Sequence, residues 1–338
     1  VSLGVTHVGG APRALGRGQG EAFAAAIHGA LSFYRDLAES QEADLDAMAA
    51  EALRHLEAAR GAVPQLVEEL EGLVEGAGIS LEEGLVLSCM EEVWPTESCT
   101  SLVHGNFLLH AEQWYASHSD IGVIIAKPDE GPAFASPTCV GFLPAVGISA
   151  AGFAQGIDSL SAHDERVGIP RLFVSRLAIG APGLTAAVAA ACSSGRAGGY
   201  AHVLATHDRR LVVETSACRE AIIDDIGAHT NHYLSETLRE VAGPASAGSR
   251  ARLDRACELL RQAPPASLED CARILSDHEG EPQTICLHEE GLDASGTVFG
   301  MACDVVTGRM IVSDGPPCAA RWEEFAVPAF RGESTRSR

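Results

Sequence analysis

Residues 97–118 read ESCTSLVHGNFLLHAEQWYASH, and the reading of this stretch decides how the chain is divided. Before Cys99, apolar residues recur at three- and four-residue spacing. After it they come in short runs, rich in β-branched and aromatic side chains and broken by turn residues. The first spacing puts apolar groups on one face of a helix, whereas runs of the second kind suit strands of a sheet. A cysteine therefore heads the first strand-like run, roughly a third of the way along the 338 residues.

Upstream, Phe23, Ile27, Leu31 and Tyr34 make one apolar stripe in EAFAAAIHGALSFYRDLAES. A second helix is expected over ADLDAMAAEALRHLEAAR. A third opens at Pro64, suited to a first turn, and stops at Gly76 and Gly78. Ser80 with Glu83 three residues later predicts a capping box at the start of SLEEGLVLSCMEEV.

Downstream, CTSLVHG, FLLHAEQWYA, IGVIIAKP, AFASPTCVGFL and GISAAGFAQGID predict an antiparallel sheet. RLFVSRLAIG and LTAAVAAACSS return to helix, and AHVLATHDRRLVVETSA reads as a hairpin with Asp208, Arg209 and Arg210 at its tip. RARLDRACELLRQA and SLEDCARILSDH are helical, the second capped by Ser267. GTVFGMACDVVTGRMIVSDG closes as a strand pair turning at Thr307 and Gly308. Helices and strands in alternating blocks, with no internal repeat, give a layered α+β architecture.

The formal net charge of −22 argues against nucleic acid or an anionic membrane as partner, since both call for a positive face. Lys127 is the one lysine and precedes Pro128 at a strand end, so Schiff-base chemistry has a single, poorly placed candidate. The ten cysteines include no CxxC pair. Cys89, Cys192, Cys257 and Cys271 sit in helix-like surroundings, where a thiol serves as a small apolar group. The first twenty residues lack the apolar core of a signal peptide and no run is long enough to span a bilayer, which together predict a cytoplasmic protein with free thiols. His104, His110 and His118 share one β-rich region, and His229 and His232 lie three apart in HTNH. Neither set comes with a matching partner motif, so no metal is expected. The glycines form no nucleotide-binding loop, so no cofactor is expected either.

Six separated segments, in order along the chain, resemble one family. They are GAPRALGRGQGEAFAAAI, EELEGLVEGAGISLEEGLVL, CTSL with LLHAEQW, VGISAAGFAQGIDSL, HTNH and TICLHEE. The sequence resembles the acyl-coenzyme A:6-aminopenicillanic acid acyltransferase family of N-terminal-nucleophile hydrolases, which includes carcinine-hydrolase-like amidohydrolases. The resemblance implies an αββα four-layer sandwich. It also implies a helical α-subunit segment over residues 1–98 and a catalytic β-subunit over residues 99–338, produced when the precursor cuts its own Ser98–Cys99 bond. The two fragments would then stay together as partners.

In that reading Cys99 is the nucleophile, Asn231 of HTNH supplies the oxyanion donor, and Thr284 of TICLH orients the thiol. Glu112, Gln113, Trp114, Tyr115, Asp158 and His288 are expected as pocket or supporting residues. A cysteine freed at a chain terminus carries its own base, since an α-amine titrates near pH ~7.7. The expected substrate is a small acylated amine, with water, an amine or a thioester as co-substrate. Alternatives are transfer from a coenzyme A or carrier-protein thioester, and an unprocessed, silent relative that binds a ligand in the old pocket. Gln113, Tyr115, Leu287 and Ser98 depart from the family pattern, so penicillin specificity is not expected to carry over.

Overall fold

The computed structural model describes residues 3–94, 99–116, 118, 120–288 and 291–330. The chain opens with strand β1 (Gly4–Gly10), where the sequence predicted only helices before Cys99. Helix α1 (Pro12–Ser40) starts at a proline whose missing N–H costs nothing there, and it buries Phe23, Ile27, Leu31 and Tyr34, as their spacing predicted. Helix α2 (Leu45–Ala62) is capped by Asp44, whose carboxylate accepts the Ala47 N–H at 3.0 Å. Helix α3 (Pro64–Ala77) ends at Gly78, whose φ of 68° lies in the left-handed region that suits glycine. Helix α4 (Leu81–Ser88) begins with the predicted capping box: Glu83 N–H donates to Ser80 Oγ at 3.2 Å and Ser80 N–H to Glu83 Oε2 at 2.9 Å. The last predicted helix breaks there, and a single turn, α5 (Met90–Val93), follows.

Helices α1 and α3 meet backbone to backbone. A methyl on Gly16 or Gly20 would lie 1.8 or 2.1 Å from the carbonyl oxygens of Glu69 and Leu73, and one on Gly72 or Gly76 would lie 2.1 or 2.2 Å from those of Arg13 and Arg17. The four-residue glycine spacing on both helices is therefore a requirement of close crossing, since real Cβ atoms do not approach that near.

The remaining strands build two sheets. One has the order β1, β4 (Ile121–Pro128), β5 (Phe134–Cys139), β6 (Gly147–Ser149), β7 (Phe153–Leu160), β8 (Gly199–Ala205), β9 (Arg210–Thr215), β10 (Glu220–Asp224). It is antiparallel apart from the β1–β4 pair. The other has the order β11 (Ala228–His229), β2 (Cys99–His104), β3 (Phe107–Tyr115), β12 (Ser295–Asp304), β13 (Arg309–Ser313), β14 (Trp322–Ala326). Strand β1 thus ties the segment before Cys99 into the sheet of the rest.

The sheets face one another through β2, β3, β12 and β13 on one side and β6, β7 and β8 on the other. Helices α1, α6 (Arg171–Ile179) and α7 (Leu184–Ala191) cover the outer face of the first sheet, and α3 lies on α1. Helices α8 (Ala247–Gln262) and α9 (Leu268–Leu275) cover that of the second. The result is an αββα sandwich. Both faces of both sheets are covered, and β4, β5 and β7 are accordingly buried almost throughout. Among the described residues no helix is long and apolar enough to cross a membrane.

Candidate active site

Strands β2 and β3 pair antiparallel with Cys99 opposite Glu112 and Ser101 opposite His110. Because side chains alternate across a strand, these four residues share the face turned toward the other sheet. Thr100 and Gln113 take the opposite face, toward the helices and loops outside. The Cys99 thiol donates to Glu112 Oε1 at 3.4 Å, and His110 Nε2 lies 3.1 Å from Glu112 Oε2. Ser101 Oγ lies 3.0 Å from His110 Nδ1 and donates to Asp158 Oδ1, on β7, at 3.1 Å. Asp158 Oδ2 in turn lies 3.3 Å from His229 Nδ1, whose Nε2 is 3.0 Å from Glu214 Oε1. A continuous polar line thus runs from the thiol through the gap between the sheets.

The electrostatics along this line differ from end to end. Burial, together with the Glu112 and Asp158 carboxylates, pushes the Cys99 thiol well above its ordinary value in the intact chain. Burial also works against charge on His229, but the flanking carboxylates of Asp158 and Glu214 outweigh it and raise the imidazole to about 9. His229 is therefore a buried cation held between two acids.

Asn231 reaches the other end of the nucleophile. Its Oδ1 accepts the Cys99 backbone N–H at 2.9 Å and Arg252 Nη2 at 2.7 Å, while its Nδ2 donates to Ser159 O at 3.1 Å. Both neighbours of Oδ1 are obligate donors and the neighbour of Nδ2 is an acceptor, which fixes the amide orientation. Arg252 Nε also donates to Thr100 Oγ1 at 3.2 Å, joining α8 to β2. In the intact chain Asn231 thus holds the nitrogen of Cys99, and its NH₂ group is engaged with Ser159.

Cys99 lines a pocket with a cavity volume of about 50 Å³. Its walls are mainly apolar, with Trp114, Ile157 and Phe299 from the sheets, Phe142 and Leu143 from the connection between β5 and β6, and Leu87 and Met90 from the segment before Cys99. Trp114 is held by a directed chain: its Nε1 donates to Tyr34 Oη at 2.6 Å, and Tyr34 bonds His118 Nδ1 at 2.7 Å. Burial lowers His118 to about 4, so its Nδ1 accepts and its Nε2–H reaches Val140 O at 3.3 Å.

Two acids of α5 line the same pocket. Glu92 is paired with Arg171 at 3.2 Å. Glu91 receives the Tyr200 hydroxyl, and burial above all, with Glu92 and Glu112 adding to it against Arg171, raises its carboxyl to about 8. Burial thus favours the neutral carboxyl at the pocket wall.

The expected residues distribute as follows. Cys99, Glu112 and Trp114 line the pocket, and Asp158 lies beneath it on the polar line. Gln113 faces away, donating to the carbonyls of Ile285 at 2.9 Å and Thr284 at 3.3 Å. Thr284 does not reach the thiol it was expected to orient: its carbonyl receives Gln113, and its hydroxyl donates to Cys286 O at 2.8 Å. Tyr115 packs against Phe33 and Tyr34 of α1. His288 is a correction. It lines a separate recess with Ala116 and Pro316, because β3 interposes its full thickness between the 284–288 loop and the thiol. Ser98, and with it the expected scissile bond, lies outside the described residues.

Sequence reading missed Arg252, Glu214, His229 as a buried cation, and Glu91 with Tyr200. The alternation His110-x-Glu112 carried a signal, since it places both on the face of Cys99. Nothing local marks Glu214 or Arg252, which reach the site from β9 and α8.

No curated protein sequence matches the chain. Among solved structures it is similar to penicillin V acylase from Agrobacterium tumefaciens, at 12% identity and a TM-score of 0.44 over 64% of this chain and 82% of that one. It is also similar to a mutant of conjugated bile acid hydrolase from Clostridium perfringens, at 8% identity and a TM-score of 0.40 over 68% of this chain and 97% of that one. The sequence itself matches the family described as acyl-coenzyme A:6-aminopenicillanic acid acyl-transferase over residues 103–315, a segment that begins four positions after Cys99. That segment takes in most of the chain, including β3, Asp158, Asn231 and Thr284, and the chain belongs to this family.

Proposed function

We propose that the chain is an amidohydrolase or acyltransferase of the N-terminal-nucleophile type. It cuts itself between Ser98 and Cys99 and then moves an acyl group from a small N-acyl amine through a Cys99 thioester. The observation that carries this reading is the double hold on Cys99. Its nitrogen is fixed at 2.9 Å from Asn231 Oδ1, while its thiol opens into a mainly apolar pocket. A nucleophile whose own nitrogen is held by a side-chain acceptor is suited to a terminal amine acting as base.

In self-cleavage the Cys99 sulfur attacks the Ser98 carbonyl carbon and the C–N bond to Cys99 breaks, giving a thioester and a free α-amine. Water then hydrolyses the thioester, leaving a Ser98 carboxylate and the thiol. In the processed enzyme the amine takes the thiol proton. The resulting ammonium would face Asn231 Oδ1, which accepts the same nitrogen in the intact chain, and would offset the carboxylates that keep the thiol protonated there. The thiolate attacks the substrate carbonyl, the ammonium protonates the departing amine, and water or a second amine takes the acyl group from sulfur. The apolar pocket walls suit an apolar acyl half. After cleavage the fragments would stay joined by β1 in its sheet, by the buried Glu69–Arg176 pair at 2.9 Å and by Glu92–Arg171.

Intact-mass analysis of purified protein tests the reading. Wild type should give two fragments parted at 98/99, and Cys99→Ala one chain that transfers no acyl group. A wild type that stays whole yet turns over amides would remove the terminal-amine mechanism. One that stays whole and inert would favour a ligand-binding relative.

A further inference from the structure

Away from the pocket, four side chains that meet no requirement of acyl transfer converge on one point. His278 follows α9, Cys286 and His288 lie in the loop that leads to β12, and Cys318 stands in the turn between β13 and β14. His288 Nε2 lies 3.1 Å from His278 Nε2, 3.2 Å from Cys318 Sγ and 3.5 Å from Cys286 Sγ. All four of these donor atoms fall within 4.8 Å of one another.

Hydrogen bonding does not account for this arrangement. One ring nitrogen carries either one proton or one lone pair, so it serves one partner well and not three. Coordination does account for it. A tetrahedral zinc with Zn–N near 2.05 Å and Zn–S near 2.3 Å has N···N edges of about 3.3 Å and N···S edges of about 3.6 Å. The observed separations agree with those edges to within a few tenths of an ångström. The two imidazole rings stack at 5.2 Å with an interplanar angle of 19°, which brings their Nε2 atoms to the same side.

We propose that His278, Cys286, His288 and Cys318 form a structural zinc site. Two thiolates and two imidazoles favour zinc over magnesium or calcium, which prefer oxygen. All four tetrahedral positions are filled by the protein, leaving no place for a reacting water, so the site is closed and structural. Two thiolates also neutralise the dication. The ion would fasten the 278–288 loop to the 314–321 turn. That loop holds the Thr284 and Ile285 carbonyls that receive Gln113, the strand neighbour of Glu112. The site stands whether or not Cys99 is the nucleophile.

The test is metal content by elemental analysis of full-length protein reconstituted with equimolar zinc and then desalted. Wild type and Cys99→Ala should each hold about one zinc per chain. Cys318→Ser should lose most of it, and because Cys318 is exposed this change removes no core packing. Cobalt in place of zinc should show a thiolate-to-metal charge-transfer band in wild type that Cys318→Ser lacks. Wild type without zinc after reconstitution would overturn the proposal. So would a Cys286–Cys318 disulfide in protein purified without reductant and reconstituted with zinc, or zinc that survives in Cys318→Ser and is lost in Cys99→Ala. Should Cys318→Ser misfold, chelator titration of wild type with a colorimetric zinc reporter decides alone: stoichiometric release supports the site, and no release from reconstituted protein counts against it.

Discussion

Consecutive residues of one strand serve two different cysteine–histidine clusters. Glu112 faces inward to Cys99 and His110, whereas Gln113 faces outward to the loop of Cys286 and His288. Both clusters contain thiol and imidazole groups close enough to hold a metal ion. The difference lies in their company. Cys99 is buried beside carboxylates, and its nitrogen has its own acceptor in Asn231. Cys286 and Cys318 converge with two imidazoles and, among the described residues, with no carboxylate. The first surroundings suit a thiol that exchanges protons and attacks carbon; the second suit thiols that share one ion. What a cysteine does here follows from its neighbours, since the thiol is the same in both places.

The comparison breaks most visibly at Cys99. Cys99→Ala should reduce amide turnover by about 10⁴-fold or more, as expected for loss of a nucleophile, while zinc content stays at the wild-type level. Turnover that survives in this variant would move the chemistry elsewhere. A second and smaller effect is expected at Asn231. Asn231→Ala should lower kcat/KM by about 10²–10³-fold, the usual cost of removing one positioned polar group from an acyl-transfer site. Its thermal unfolding should remain cooperative and its zinc content unchanged. Undiminished kcat/KM with a processed N-terminus would show that the nitrogen of Cys99 needs no acceptor.

A pH effect sharpens the contrast from the electrostatic side. His229 is raised from 6.5 to about 9, so the stability it contributes is complete below about pH 6.5 and gone once the pH has passed 9. Across that window one proton changes the unfolding free energy by at most about 1.4 kcal/mol per pH unit. Urea unfolding should therefore show wild type ahead of His229→Gln near pH 6.5, with the gap closing toward pH 9. Glu91 titrates in the same range, and subtracting the variant removes its part. A constant gap would mean that His229 is neutral. The smallest effect is expected from the outer cluster: Cys318→Ser should keep turnover within about two-fold of wild type, since Thr284 and Gln113 touch each other and not the substrate pocket.

Much of the architecture was legible because local rules agreed with tertiary demands. The stripe of α1, the capping box at Ser80, the break at Gly78 and most strand runs appear where their patterns put them. Strand β1 was missed because GVTHVGG lies next to a strong helix signal, and its pairing with β4 spans more than a hundred residues. The short strands β10, β11 and β14 are too brief to show a period. GISAAGFAQGID proved to be two strands about a tight turn, with Gly152 at a φ of 88°. At the site, the position of Cys99 at a strand head follows from the change of pattern there, and the shared face of His110 and Glu112 follows from alternation. The role of Gln113 does not, because a period of two tells which face a residue takes and not what waits there.

The sequence by itself determined a layered α+β class, because periodicity and capping are written in neighbouring residues, and its ordered motifs carried the resemblance to the family that implied the αββα sandwich. Only the tertiary structure decided that Asn231 holds the nitrogen of Cys99, that Asp158 and Glu214 clasp His229, and that His278, Cys286, His288 and Cys318 meet. Those contacts join residues far apart in the chain, and no local spacing encodes the approach of side chains carried by different sheets, loops and helices.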